Sequence, residues 1–355
     1  MKIITNILKC FTIAVISVSP ISQIKIAKTY AADDTAYVVM EKESGRVLSE
    51  HNPSTKKFMA STTKILTAIT VIDNFEIERE ISVPKESVGV EGSSVYLKEG
   101  DIYSVKDLLY GLMLRSGNDC AETLAITLSG SIENFSELMN ATAKKCGAVN
   151  SNFTNPHGLH DDSHYTTAYD LALITRYALM NTEFSQIASC KSYTATERTS
   201  NGKCQWINKN KMLSSFDGAT GVKTGFTKKA GRCLVSSAKR NGMELICVVL
   251  NQSDHYALSK GLLTDAFDKY KLVKIVDSKK FNYKIPNKGK TEYYRLSVDG
   301  DVYYPIKNNE EITAEIVLPE FLEYLPQNQA KVGEIKIYAS KQLIFLQNIY
   351  TLVND

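Results

Sequence analysis

The feature that most constrains the fold is the way strand patterns stand apart from helix patterns along the chain. Near the start, "TAYVVMEKESGRVLSE" (35–50) is typical of two strands joined by a turn at Ser44-Gly45. After Gly218 come three β-rich stretches, "ATGVKTGFT", "GRCLVSSAKR" and "MELICVVLNQ", and the patterns between the two regions are helical. Strands this far apart predict one antiparallel sheet with helices packed against it, an α+β domain.

The helical patterns have clear ends. Helices are expected at about 62–73, 105–115, 118–129, 132–146 and 168–181, with a last one at roughly 255–271. Ser104 with Asp107, and Thr167 with Asp170, have the spacing of capping boxes. Ser61 precedes the first helix and has the character of a helix-start residue.

The last part of the chain has a different residue pattern. After about Val273 the sequence alternates Lys- and Tyr-rich segments such as "EYYRLSVDGDVYYPI" and "GEIKIYA". Asp299-Gly300 predicts a hairpin turn between two of them. We therefore expect a main domain over 32–272 and a small all-β, sandwich-like domain over 273–355.

The first 31 residues have the layout of a secretory signal. Lys2 and Lys9 precede an apolar run of about 15 residues, and small residues near Ala31 and Ala32 offer a cleavage point. This run is shorter than the roughly 20 residues of a spanning helix, although an uncleaved anchor stays open. The sequence thus predicts a secreted, extracytoplasmic protein.

Charge argues against a nucleic-acid partner. Cleavage would remove four lysines and no acid from 42 basic and 39 acidic residues, leaving 38 against 39 and a net charge of −1. No basic field remains to attract a polyanion. Of the six remaining cysteines, Cys233 and Cys247 are expected to be buried free thiols, and a bridge such as Cys190–Cys204 stays open.

Three short motifs carry the candidate chemistry: "STTK" at 61–64, "SGN" at 116–118 and "KTG" at 223–225. Lys64 lies one helical turn after Ser61, where a neutral amine could take the proton of a nucleophilic hydroxyl. In the third motif, glycine lets a ligand lie close to a strand, and lysine and threonine suit a carboxylate. Each motif alone also fits an ordinary helix start, turn or strand end, but the three in this order are a strong signal.

Longer stretches extend the pattern: "LKEGDIYSVKDLLYGLMLRSGNDCAETLA" (97–125), "NFTNPHGLHDDSHYTTAYDLA" (152–172) and "DGATGVKTGFTKKAGRCL" (217–234). With them the sequence resembles the penicillin-binding serine D-alanyl-D-alanine carboxypeptidases of low molecular mass, peptidase family S11. The resemblance covers essentially the whole mature chain and is weaker in the C-terminal domain. It implies a β-lactamase/transpeptidase-like first domain.

The resemblance also implies roles for particular residues. Ser61 would be the acyl-accepting nucleophile and Lys64 its general base, while Ser116 and Asn118 would relay protons and hold the substrate amide. The substrate-binding residues would be Lys223 and Thr224 for the terminal carboxylate, Gly225 for close approach, and Phe226, whose N–H would join that of Ser61 in an oxyanion hole.

The implied activity is removal of the terminal D-alanine from peptidoglycan stem peptides. β-Lactam antibiotics would acylate the same serine, and no metal or organic cofactor is implied. Peripheral association with the membrane or the cell wall stays open. Two departures from the family are visible: "NQSDHYALSK" (251–260) lacks an arginine often found there, and no amphipathic membrane helix is recognisable in "LQNIYTLVND".

Three alternatives compete with this reading. In "HGLHDDSH", three histidines and two aspartates resemble zinc ligands, namely His157, His160, His164, Asp161 and Asp162, but their spacing fits neither usual helical zinc pattern. A class A β-lactamase would need a glutamate before a Leu-Asn pair, and "SELMN" (136–140) is the nearest approach. A non-catalytic peptidoglycan-binding module is disfavoured by the intact motifs.

Overall fold

The computed structural model describes residues 34–323 and 329–352. The chain divides into two compact units, one over Lys28–Asp268 and the other containing Lys269–Asp355. The predicted boundary after residue 272 falls a few residues later, inside the strand Tyr270–Val276. The predicted signal segment, 1–31, lies outside the described residues. No helix in the described ranges is long and apolar enough to cross a membrane.

The first unit alternates strands with a long helical middle. Its strands are β1 (Ala36–Glu41), β2 (Val47–His51), β3 (Glu80–Ser82), β4 (Ile102–Ser104), β5 (Ser192–Thr196), β6 (Lys203–Ile207), β7 (Ala219–Thr227), β8 (Gly231–Arg240) and β9 (Met243–Leu250). Its helices are α1 (Lys64–Asn74), α2 (Val105–Tyr110), α3 (Asn118–Ser129), α4 (Ile132–Lys145), α5 (Ala168–Met180), α6 (Thr182–Ser189), α7 (Met212–Ser215) and α8 (His255–Lys269).

The main sheet has the order β2-β1-β9-β8-β7, and every neighbouring pair is antiparallel. The central strand β9 is buried along its whole length, as its continuous apolar run requires. Val38 of β1 lies opposite Val248 of β9, so the first strand of the unit pairs with its last. The predicted antiparallel sheet with packed helices is confirmed.

Helix α1 lies at the centre of the helical layer. It packs against α3, α4, α5 and α6 and also contacts β7. Its residues Lys64 to Val71 are all buried, because neighbours surround this helix on every side. Thr67, a polar member of this run, has a partner, since its hydroxyl donates to the carbonyl of Pro156 at 2.6 Å. A lysine inside such a helix therefore needs a specific environment.

The helix starts follow the predictions in part. Ser104 and Asp107 form the full reciprocal capping box. At Thr167 the structure shows one half, in which the Thr167 hydroxyl accepts the N–H of Asp170. The segment predicted as one helix over 105–115 is α2 followed by a π-helical turn, Gly111–Arg115. Ser61 is not a cap, because it lies inside a 3-10 helix, Ala60–Thr63, that leads into α1.

The second unit is all-β. Its strands are β10 (Tyr270–Val276), β11 (Lys284–Pro286), β12 (Tyr293–Val298), β13 (Val302–Lys307), β14 (Ile312–Val317), β15 (Lys331–Ala339) and β16 (Gln342–Leu352). They form a two-stranded sheet, β10-β13, and a five-stranded sheet, β11-β12-β16-β15-β14. Its core contains Val276, Ile285, Leu296, Ile335, Ile337 and Ile349.

The predicted hairpin at Asp299-Gly300 is wrong. The chain does turn there, with Gly300 at a φ of 125°, but β12 pairs with β11 and β16 while β13 pairs with β10. The turn therefore carries the chain from one sheet to the other. An Asp-Gly pair specifies a sharp reversal, whereas the partner of each strand depends on distant segments.

The six cysteines of the described chain are free. Cys233 and Cys247 are buried, as predicted for thiols in apolar strands. The bridge left open between Cys190 and Cys204 is not formed, and the Cys190 thiol instead donates to the Ser192 carbonyl at 3.1 Å.

Candidate active site

The turn that carries Ser61 leaves one hydroxyl available. The 3-10 helix is preceded by Met59, and Ala60 has a φ of +49°, an unusual value for a residue with a Cβ. Thr62 donates its hydroxyl to the Met59 carbonyl at 2.7 Å, and Thr63 donates to the Ala60 carbonyl at 2.8 Å. Ser61 is partly exposed, and its Oγ lies 3.3 Å from Lys64 Nζ.

Lys64 is fully buried, and its Nζ has three neighbours. The His157 carbonyl lies at 2.6 Å, Asn118 Oδ1 at 2.7 Å and Ser61 Oγ at 3.3 Å. Burial is the main cause that holds the pKa of Lys64 well below its usual value, and the charge of Lys223 lowers it further. The site therefore favours a neutral amine.

The neighbours of the Lys64 amine determine where its hydrogen atoms point. The orientation of the Asn118 amide is fixed, because its Nδ2 donates to the Glu91 carbonyl at 2.5 Å and Oδ1 must then face Lys64. Asn118 Oδ1 and the His157 carbonyl can only accept, so they take the two N–H groups of the amine. The remaining lone pair faces the third neighbour, the hydroxyl of Ser61.

The second motif supports this arrangement from α3. Ser116 follows the π-helical turn with a φ of +64° and is buried. Asn118 begins α3, and its backbone N–H donates to the Ser93 carbonyl at 2.7 Å. Asp119 accepts the N–H groups of Val95 and Leu97, which fastens the 91–97 loop to the start of the helix. No hydrogen bond within residues 34–323 joins the Ser116 hydroxyl to Lys64.

The third motif lies on β7, the edge strand beside the Ser61 turn. A Cβ on Gly225 would lie 2.9 Å from the Met59 carbonyl oxygen and 3.1 Å from the backbone N of Ser61, so glycine is required there. Lys223 is 2% exposed, and its Nζ donates to the Thr224 carbonyl at 3.2 Å. Thr224 is half-buried.

Lys223 loses its proton more readily than an ordinary lysine. Burial, with the positive charge of Lys209, lowers the pKa of Lys223 to about 7. Next along β7, Phe226 is exposed and lies under the guanidinium of Arg232, 5.4 Å from the ring centroid. In the part of the chain that the structure describes, no carboxylate forms an ion pair with Lys223, and such a buried lysine suits a ligand that brings its own negative charge.

The histidines of "HGLHDDSH" have other partners. His157 Nε2 lies 3.2 Å from Glu122 Oε1, and His160 Nε2 lies 3.2 Å from Asp162 Oδ1. His164 accepts the N–H of Thr154, and burial lowers its pKa to about 3. Among residues 34–323 and 329–352, no three His, Cys, Asp or Glu side chains form a group that could hold a metal ion.

Two groups of the site were not predicted from the sequence. The His157 carbonyl is a backbone group and leaves no residue-type signal. Lys209 follows the β5–β6 hairpin, its Nζ lies 3.3 Å from Ser93 Oγ, and its charge lowers the pKa of both Lys64 and Lys223. Only the "NKN" that precedes α7 marks its place, and that pattern predicts nothing more than a polar loop.

Comparison with known proteins matches this geometry to a family. The family model described as D-alanyl-D-alanine carboxypeptidase, Peptidase_S11, matches residues 23–254, well over half of the chain. The chain belongs to this family. The matched segment contains all three motifs and most of the first unit, which agrees with the resemblance inferred from the sequence.

Individual members of the S11 family extend the match. The chain is 30% identical over 285 residues to the D-alanyl-D-alanine carboxypeptidase DacF of Bacillus subtilis, covering 78% of this chain and 73% of that protein. It is 31% identical over 344 residues to the D-alanyl-D-alanine carboxypeptidase DacA of Escherichia coli K12, covering 89% of this chain and 84% of DacA.

Solved S11 structures show the same architecture. The crystal structure of penicillin binding protein 5 from Haemophilus influenzae has a TM-score of 0.77 and 27% identity, covering 90% of this chain and 96% of that one. The structure of DacD from Francisella tularensis has a TM-score of 0.69, also at 27% identity, and the match covers 94% of this chain and 97% of that one. The predicted fold, a transpeptidase-like domain followed by a small β domain, is confirmed.

Proposed function

We propose that this protein is a serine-type D-Ala-D-Ala carboxypeptidase that removes the terminal D-alanine from peptidoglycan stem peptides. The observation that carries the proposal is the environment of Lys64 Nζ, whose two fixed acceptors leave its lone pair facing Ser61. Membership of the S11 family supports the substrate class. The signal-like first 31 residues support an extracytoplasmic location.

The reaction begins at Ser61. Its Oγ attacks the carbonyl carbon of the penultimate D-alanine while Lys64 takes the hydroxyl proton. The C–N bond then breaks, the proton passes to the leaving D-alanine nitrogen, and an ester remains on Ser61. As the resemblance implies, Ser116 and Asn118 would hold the substrate amide and relay that proton. Water then attacks the ester carbon while Lys64 takes its proton. The bond to Ser61 Oγ breaks, Lys64 returns that proton to Oγ, and the shortened peptide leaves as a carboxylic acid.

The substrate carboxylate would bind beside β7. Lys223 supplies a cation and Thr224 a hydroxyl, and Lys209 adds positive charge from the facing loop. An anion at this place raises the pKa of Lys223, so binding and protonation support each other. The backbone N–H groups of Ser61 and Phe226 would hold the oxyanion, since β7 packs directly on the Ser61 turn.

Penicillin carries an amide and a carboxylate in the same arrangement, so Ser61 would open its ring. The opened ring keeps its leaving group beside the ester and obstructs water, so the adduct should last for minutes or longer. The β-lactamase alternative needs a glutamate near that water. Glu137 of "SELMN", the nearest approach to such a glutamate in the sequence, lies exposed on α4.

Labelling with a fluorescent penicillin tests the proposal. The wild-type protein should form one stable adduct on the peptide that contains Ser61 and should release D-alanine from a peptide ending in D-Ala-D-Ala. Ser61→Ala should do neither while keeping the wild-type melting curve. An adduct on another residue would refute the nucleophile, and rapid turnover of penicillin without an adduct would favour a β-lactamase.

A further inference from the structure

A carboxylate outside the three motifs approaches the site from α3. Glu122 lies four residues after Asn118, so both side chains project from the same face of the helix. Glu122 Oε1 lies 3.2 Å from His157 Nε2, and the two side chains are only 13% and 7% exposed. A buried pair of this kind between a helix and a loop is a specific contact rather than a surface ion pair.

The protonation of His157 follows from its second contact. Its Nδ1 accepts the backbone N–H of Leu159 at 3.1 Å, so a neutral imidazole carries its proton on Nε2 and donates it to Glu122. Burial lowers the pKa of His157, and the hydrogen bond to Glu122 offsets this effect only in part. The ring is therefore neutral in the physiological range and needs only an acceptor from Glu122.

The loop that holds His157 is fastened mainly to α1. Thr67 donates to the Pro156 carbonyl, and Asn155 Oδ1 accepts the N–H of Gly158. Gly158 has a φ of +86°, and a Cβ there would lie 2.0 Å from the Ala60 carbonyl oxygen, so this loop packs on the turn that carries Ser61. The Glu122 contact ties the same loop to α3, the helix that supplies Asn118.

We propose that Glu122 is a positioning residue for Lys64. It anchors the His157 ring, and that anchor keeps the His157 carbonyl on Lys64 Nζ, 2.6 Å away. With this acceptor in place, one N–H of the amine is occupied and the lone pair is confined towards Ser61. The inference rests on the proposed role of Lys64 as the base. Helix α3 thus orients the amine twice, directly through Asn118 and indirectly through Glu122.

Two substitutions separate anchoring from packing. Glu122→Gln keeps an oxygen that accepts from His157 Nε2, whereas Glu122→Leu removes the acceptor and keeps most of the volume. Glu137→Leu, on the exposed face of α4, removes the same charge away from the loop and serves as the control. Each full-length mature variant is assayed for D-alanine release and for acylation by a fluorescent penicillin across pH 5–9.

For Glu122→Leu we expect kcat to fall about 10-fold or more with KM changed less than about twofold, because misplacement of a catalytic group by about 1 Å is costly. The acid limb of its acylation profile should move to lower pH, since a lost acceptor disfavours the ammonium form. The other groups that act on Lys64, namely Lys223, Lys209, Asp119 and Cys120, are unchanged. Glu122→Gln and Glu137→Leu should stay within about twofold of wild type, with no shift.

Several results would overturn the inference. One is a Glu122→Leu protein with wild-type kcat and pH profile. Another is an equal loss in the Leu and Gln variants, accompanied by a reduced fraction of labelled protein, which would mark a structural role. A third is a Glu122→Leu effect that persists undiminished in a His157→Ala background, because the anchor acts through that ring. If the wild type itself is not acylated, the proposed function fails, which is a distinct outcome.

Discussion

At the scale of single residues, the site is built around buried lysine side chains. Lys64 and Lys223 are both buried, and burial is the main cause that lowers the pKa of each. Nearby positive charges lower it further, since Lys223 and Lys209 act on Lys64 and Lys209 acts on Lys223. The same crowding serves two purposes. It favours the neutral amine that the proposed base requires at Lys64, and it leaves Lys223 to gain charge when a carboxylate arrives.

Lys64→Ala tests the base. Acylation by penicillin should slow by about 10²–10⁴-fold, the usual contribution of a positioned base. The melting temperature should not fall comparably, because the variant removes a buried amine whose burial is costly. Lys85→Ala, at an exposed site, is the control and should acylate at the wild-type rate. Unimpaired acylation by Lys64→Ala would rule out its role as the base.

Lys223→Ala tests the carboxylate contact. A charge-assisted hydrogen bond contributes about 1.5–3 kcal/mol, so kcat/KM for a peptide with a free terminal carboxylate should fall about 10–100-fold. The amidated analogue should lose much less. Lys228→Ala, exposed on the loop after β7, should affect neither peptide. Equal losses on both peptides would contradict the assignment of Lys223.

The sequence motifs locate these side chains because each chemical role needs a particular residue type at a particular spacing. Ser61, Lys64 and Asn118 converge within hydrogen-bond distance, as the resemblance implies. The His157 carbonyl and the Glu122 contact have no comparable signal. A backbone acceptor carries no residue identity, and the partners Glu122 and His157 are 35 positions apart.

At the scale of elements, the decisive contact is the packing of β7 on the Ser61 turn. The two segments approach so closely that a methyl group at Gly225 would meet the backbone of the turn. This contact sets the distance between Ser61 and the strand that carries Lys223 and Thr224. It also explains a glycine within an otherwise regular strand.

Gly225→Ala should therefore separate these elements. We expect acylation to fall by at least about 10-fold, since small displacements of reacting groups have large effects on rate. Gly261→Ala is the matched control, because a Cβ at this helical position meets nothing within 4 Å. It should leave acylation unchanged and stabilise α8 by up to about 1 kcal/mol. Wild-type acylation by Gly225→Ala would show that the turn can shift freely.

Elements with strong periodicity are predictable, and those shaped by neighbours are not. Helix α3 and strand β9 occur where their patterns place them. The π-helical turn Gly111–Arg115 was missed, as was the β5–β6 hairpin. At Gly111 an added Cβ would lie 2.7 Å from the Cys120 thiol and 3.1 Å from the Trp206 ring, so tertiary packing dictates the local backbone.

At the scale of the whole molecule, the buried lysines should cost stability. The pKa of Lys223 is about 7 in the folded protein and about 10.4 in an unfolded chain. Between these values the unfolded state binds more protons, so the stability of the folded protein rises with pH. The penalty is complete below pH 7.

Lys223→Met should consequently be more stable than wild type at pH 6, by roughly 2–4 kcal/mol. The difference should shrink as the pH rises towards 10, where wild-type Lys223 is neutral when folded. Urea unfolding at pH 6, 8 and 10 measures both trends, with Lys228→Met as the exposed control. A variant that is less stable than wild type at pH 6 would contradict the cost assigned to this amine.

The pairing of β1 with β9 has a consequence for how the protein matures. During synthesis, β1 emerges long before residues 243–250, and the Ser61 turn must likewise wait for Gly225. Such distant pairings make folding slow relative to the formation of local helices. The Ser61 turn then lacks its neighbouring strand β7 in any nascent chain that has not yet formed the sheet. The time at which the chain becomes reactive towards penicillin would thus report when the two ends of the first unit pair.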